Sequence, residues 1–140
     1  MTAIVCAIRG GEESHATINR AVELAEEVKL PLNFLYVVND DTLSDIQGNQ
    51  FEVILDRLFH EGNTILSIAV SKTKGITADG IIRSGKVREK ILDLCQEFDA
   101  DYLVLGKPGI DERRNTFTNK KLKRFRKRVE RESKARVVVI

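Results

Sequence analysis

Gly106 and Gly109 in the run Asp101–Gly109, DYLVLGKPG, have the type and spacing to present backbone N–H groups to an anion. An apolar run of strand length that ends in a Gly-x-x-Gly turn is how open α/β sheets hold phosphate oxygens. Downstream of the turn, residues 113–136 carry twelve Lys or Arg against two Glu, a net +10. The remainder, with eleven basic and nineteen acidic residues, is −8. The overall charge of +2 hides this asymmetry, so electrostatics here is local.

Other chemistry-bearing residues fall short of a mechanism. Gly80-Ile-Ile-Arg-Ser-Gly85-Lys86 matches the first seven positions of the phosphate loop GxxxxGK, but Val87 stands where a magnesium-binding hydroxyl is needed. Gly80 also falls inside a strand pattern, so a turn at Gly85 with Lys86 entering a helix is the plainer reading. Ser14 and His15 are sequence neighbours whose side chains point about 100° apart on a helix, which prevents a nucleophile and base pair. Neither His15 nor His60 lies within helical reach of a cysteine or another histidine, so no metal-ligand spacing exists and no catalytic residue is assigned. Cys6 in an apolar strand run and Cys95 on an apolar helix side, without Cys-x-x-Cys spacing, read as two buried thiols in a reducing compartment.

The elements that position these residues alternate regularly. The length of 140 residues and 42% hydrophobic content suit one domain over residues 1–140. No apolar run reaches the ~18 residues of a membrane helix, and Met1–Cys6 does not read as a signal peptide, so the expectation is a soluble, cytoplasmic protein without a membrane partner. Ala3–Ile8 is a first strand. A helix follows with Ile18, Ala21, Val22, Ala25 and Val28 on one face, and Pro31 stops it before the second strand, Leu32–Val38. After a polar connection at Asn39–Gln50, the spacing of Phe51, Ile54, Leu55, Leu58, Ile65, Leu66 and Ala69 predicts a helix, weakened by about 1 kcal/mol at Gly62 and stopped at Gly75.

Ile76–Arg83 reads as the third strand, and Val87, Ile91, Leu94, Cys95 and Phe98 as the face of a third helix. Tyr102–Leu105 is the fourth strand and Lys107–Thr118 a loop. Leu122, Phe125 and Val129 then draw a narrow stripe on a heavily basic helix before a fifth strand at Val137–Ile140. Alternation with continuously apolar strands predicts an α/β three-layer sandwich, a parallel sheet covered by helices on both faces. The closing strand leaves an apolar edge that pairing with a second copy through Val137, Val138, Val139 and Ile140 would cover.

From AIVCAIRGGEESHATINRAVELAEEV through LNFLYVV, IIRSGKVREKILDLCQEFDADYLVLG and the closing VVVI, the chain resembles the universal stress protein family over essentially its whole length. The resemblance implies a five-stranded parallel sheet in the order 3-2-1-4-5, homodimers formed through the last strand, and a cleft between the first and fourth strands. Members that bind ATP look like Gly-x-x-Gly, nine residues, then Gly-Ser or Gly-Thr, with an Asp at the end of the first strand. Gly106 and Gly109 match. Asn119-Lys120 replace the Gly-Ser, Arg9 replaces the Asp, and the segment before the last strand is longer by about one helical turn.

These departures have chemical content. Asn119 removes the close backbone approach a glycine gives to phosphate, and Lys120 removes a hydroxyl donor. Lys120 and Lys121 still offer charge, and Thr116 and Thr118 hydroxyls. Arg9 turns an acceptor for a ribose hydroxyl or metal-bound water into a cation that only donates. Arg9-Gly10-Gly11-Glu12-Glu13-Ser14 also looks like a degraded SGGxDS loop of ATP pyrophosphatases, without its first Ser or a second substrate domain.

The resemblance implies a non-enzymatic stress-response or regulatory domain, with at most weak nucleotide hydrolysis. Its cleft, built from Ile8, Arg9, Gly10, Gly11, Val38, Leu105, Gly106, Gly109, Thr118, Asn119 and Lys120, would hold a nucleotide or another anion in an atypical way; the cofactor is ATP, AMP or none. The alternative is a dimeric scaffold that binds no nucleotide. Its basic helix, with Lys120, Lys121, Lys123, Arg124, Arg126, Lys127 and Arg128, would bind nucleic acid, another polyanion or an acidic protein. The plainer reading of those cations is a solvated face that neutralises the acidic remainder.

Overall fold

Five short apolar runs form one parallel sheet in the order β3-β2-β1-β4-β5. The computed structural model describes residues 2–9, 13–39, 49–106 and 119–140. Its elements are β1 (Ile4–Ala7), α1 (Glu13–Val28), β2 (Leu32–Val38), α2 (Asn49–Ser71), β3 (Ala78–Ser84), α3 (Val87–Glu97), β4 (Tyr102–Leu105), α4 (Asn119–Glu132) and β5 (Arg136–Val139). β1 pairs in register with β2 from Ile4↔Leu32 to Ala7↔Leu35 and with β4 from Ile4↔Tyr102 to Ala7↔Leu105. The expected α/β sandwich and strand order are observed. β3 begins two residues later than its apolar run suggested, because Ile76 and Thr77 lie outside the paired stretch that starts at Leu32↔Ala78. Phe98 caps α3 rather than extending it.

Period-two alternation sends successive strand side chains to opposite faces. Ile4, Cys6, Phe34 and Val104 pack with Ile18, Ala21 and Ala25 of α1 and Leu66 and Ala69 of α2. Val5, Leu35, Leu103 and Val137 pack on the other face with Ile91, Leu94 and Cys95 of α3 and Leu122, Phe125 and Val129 of α4. The two cysteines therefore lie in different layers, both free and buried. Burial pushes the Cys6 thiol far up and the Cys95 thiol up to about 12, so neither supplies a thiolate at neutral pH.

Asp101 joins three parts of the chain just before β4. Its backbone N–H donates to Ala3 O at 2.8 Å and its carbonyl accepts from Arg136 N–H at 2.9 Å. Its carboxylate accepts from Thr2 N–H at 2.6 Å and faces Lys134 Nζ at 3.3 Å, which also lies 3.0 Å from Asp99. Burial alone would raise the Asp101 pKa, but the Thr2 and Lys134 contacts outweigh it and hold the carboxyl below its ordinary value. A depressed folded-state pKa gives stability that is present above the unfolded value and is lost as pH falls through the folded one. Asp101→Asn is therefore expected to lose roughly 1–2 kcal/mol near neutrality. In urea melts across pH, that difference should vanish on acidification below the usual aspartate range; a pH-independent difference would sink the assignment.

Candidate functional site

The strand order reverses between β1 and β4, and the chain leaves them toward opposite layers: α1 follows β1 on one face and α4 follows β4 on the other. Such a switch point opens a crevice beyond the carboxyl ends of the strands. The structure has a cavity of about 300 Å³ there. Its floor is Ala7, Ile8, Leu35, Val37, Val38 and Leu105; Tyr36 of β2 and Leu58 of α2 stand on one side, Val87 and Ile91 of α3 on the other, and Arg9, Asn39 and Gly106 complete the lining.

Local hydrogen bonds shape this end of the sheet. Ile8 N–H donates to Leu35 O at 2.9 Å, extending the β1–β2 ladder by one residue before Arg9 departs. Ile140 N–H donates to Leu105 O at 2.9 Å and Gly85 N–H to Val38 O at 3.0 Å, so the ends of β4 and β2 are tied to their outer neighbours. Ser14 in the first turn of α1 donates its hydroxyl to Arg9 O, tying the Arg9 backbone to the start of that helix. His15 instead faces Lys72 Nζ at 2.6 Å, away from Ser14, as the helix geometry required. Half-burial and the nearby Glu61 carboxylate raise the Tyr36 pKa, keeping its phenol protonated as a donor at the cleft wall.

Of the residues expected at the site, the cavity brings together Ile8, Arg9, Val38, Leu105 and Gly106. Gly10, Gly11, Gly109 and Thr118 lie outside the described residues, as does the expected loop at 107–118. Asn119 and Lys120 open α4, where Lys120 is exposed. The phosphate-loop reading of Gly80–Lys86 fails structurally, since Gly80 sits inside β3, with a Cβ at that position meeting Leu66 Cβ at 3.0 Å. Sequence reasoning missed Tyr36, Leu58, Val87 and Ile91, whose apolar spacing is the same as that of core-facing neighbours. Gly106 also has a packing role: a Cβ there would lie 2.8 Å from Thr17 Oγ1, so the contact of α1 with the end of β4 already calls for glycine. Among the described residues, no group of three or more His, Cys, Asp or Glu could hold a metal ion, and no helix is long and apolar enough to cross a membrane.

The fold is shared with solved universal stress proteins. One from Burkholderia pseudomallei is 20% identical, with a TM-score of 0.74 over 99% of this chain and 95% of its own. A universal stress protein in complex with cAMP is 21% identical, with a TM-score of 0.69 over 99% of this chain and 96% of its own. One from Archaeoglobus fulgidus in complex with dAMP is 17% identical, with a TM-score of 0.65 over 100% of this chain and 98% of its own. No curated protein matches the sequence. The model of the universal stress protein family matches residues 1–140, and with the sheet order and the crevice in place the chain belongs to the universal stress protein family.

Proposed function

We propose that the chain is a non-enzymatic regulatory domain whose cleft binds a nucleoside monophosphate or a similar small anion, in a manner that departs from the ATP-binding pattern. The observation that carries this reading is the cavity itself: apolar walls from Val38, Leu58, Val87 and Ile91 suit the faces of a base, and Arg9 stands at the same opening. The complexes of related folds with cAMP and dAMP support the ligand class. Arg9 supplies a planar, permanently charged donor where an acceptor would hold ribose, which favours a phosphate group over a sugar hydroxyl at that point. The reading includes a homodimer through the edge strand β5, where Val138, Val139 and Ile140 are only half-buried in the single chain.

A thermal-shift panel of AMP, cAMP, ADP, ATP and inorganic phosphate tests it. A ligand at a hundredfold excess over its Kd stabilises by about 2.7 kcal/mol. The monophosphates are expected to shift the wild type, and Arg9→Gln, which removes the charge without restoring the acidic residue of the ATP-binding members, to reduce that shift measured from the variant's own unliganded midpoint. A flat panel would overturn the nucleotide reading, and a monomeric mass for the same samples by sedimentation would overturn the dimer.

A further inference from the structure

α4 sorts its cations by direction. At 100° per residue, Leu122, Phe125 and Val129 fall on one side of the helix and are buried against the sheet. Two ion pairs flank this stripe, Arg126 with Glu130 at 3.1 Å on one shoulder and Arg128 with Glu132 at 2.8 Å on the other. Lys134 beyond the helix is taken by Asp99 and Asp101. Arg131, which lies 3.5 Å from Glu132, shares the remaining arc, opposite the buried stripe, with Lys120, Lys123, Arg124 and Lys127. The last four are all exposed, and none of them pairs with a carboxylate among the described residues. Arg126, Arg128, Arg131 and Lys134 therefore neutralise acidic groups, whereas Lys120, Lys123, Arg124 and Lys127 have no such role.

The placement also runs against helix energetics. The positive end of a helix dipole favours acidic residues, yet the first turn of α4 has no acidic residue and begins Asn119-Lys120-Lys121. Lys120 with Arg124 and Lys123 with Lys127 are like charges at i,i+4, each pair unfavourable by about 0.2–0.5 kcal/mol. A charge pattern that weakens its own helix without an internal partner marks a surface shaped for an external one.

We infer that the Lys120–Lys123–Arg124–Lys127 ridge of α4 is a binding surface for the phosphate backbone of duplex nucleic acid. The ridge is straight and about 10 Å long, at 1.5 Å rise per residue. It has no exposed large apolar side chain: those among the described residues are Val53 and Ile68, both on α2. An acidic protein partner or a lipid surface would use apolar groups interleaved with the charges, and the stripe that could supply them is spent on the core. The aromatic side chain of α4, Phe125, is buried, so stacking on single-stranded bases has no platform there. Recognition is electrostatic and independent of sequence, and it does not depend on what the cleft holds.

Fluorescence anisotropy of the full chain with a labelled random-sequence DNA duplex tests the assignment. Four phosphate contacts predict a slope of log Kobs against log salt of about −3.6. Lys123→Glu with Lys127→Glu is expected to reduce that slope by about 2 and to weaken binding at least tenfold, with an unchanged circular dichroism spectrum. Lys29→Glu with Lys74→Glu, beyond α1 and α2 on the other layer, serves as a charge-matched control and is expected to lower affinity far less. Absence of duplex binding at low salt, a double variant that binds as wild type, or binding to polyglutamate or anionic vesicles with none to duplex would each overturn it.

Discussion

Phe125→Ala is expected to cost about 3–5 kcal/mol, the range for removing a buried aromatic ring. α4 is the element of this fold least able to stand alone. Its exposed face is crowded with like charges and its first turn opposes the dipole, so tertiary packing supplies nearly all of its stability. That packing rests on three side chains, Leu122 at 8%, Phe125 at 3% and Val129 at 0% exposure. Phe125 is the middle and the largest of them, and its loss leaves a cavity in the layer that it shares with Leu103 of β4 and Val137 of β5. Urea melts should show a lower midpoint, and added salt should recover part of the loss by screening the cation–cation repulsion. Trypsin offers an independent readout, because the exposed lysines and arginines become substrates once α4 detaches. A loss below 1 kcal/mol with unchanged trypsin resistance would show that other contacts hold the helix.

Much of this fold is legible in the sequence because strand-length apolar runs and helical spacing point the same way. Leu32–Val38 and Tyr102–Leu105 are strands as read, and Leu122, Phe125 and Val129 form the buried stripe that their spacing predicts. β3 is less legible because it is an edge strand with an exposed pattern, so Ile76 and Thr77 look as strand-like as the residues that pair. The cleft was legible only in part. Ile8, Arg9, Val38, Leu105 and Gly106 follow from strand ends and the glycine turn. Leu58, Val87 and Ile91 do not, because a helix position that walls a crevice and one that fills a core carry the same side chains. The charge ridge was visible as composition. Its division into cations paired with Glu130 or Glu132 and an unpaired set at Lys120, Lys123, Arg124 and Lys127 needed the geometry of those two carboxylates.

Gly62 shows a local rule overturned by packing, and its replacement is the sharper test of how α2 meets the sheet. In a helix interior, Gly62→Ala alone would gain about 1 kcal/mol. Here a Cβ would lie 2.7 Å from Ile82 Cδ1 and from Tyr36 Cδ1, and 2.9 Å from Tyr36 Cε1. Carbon contacts are comfortable near 3.5–4.0 Å, so α2 and β2–β3 would have to separate or the Tyr36 ring would have to move. Overpacking of this kind costs about 1–3 kcal/mol, which outweighs the helix gain. Gly62→Ala is therefore expected to lower the urea midpoint, and Gly62→Val to lower it further because two γ-carbons enter the same space. The Ile82 methyl is the tip of a flexible side chain and can give way; the ring is a rigid plate that lines the cleft and can yield only by swinging there. In a Tyr36→Leu background, Gly62→Ala should cost less than in the wild type, giving a coupling of at least 0.5 kcal/mol in a double-mutant cycle. An alanine variant more stable than wild type, or a cycle with no coupling, would mean that α2 adjusts freely, and glycine at this position would then owe nothing to the contact with Tyr36.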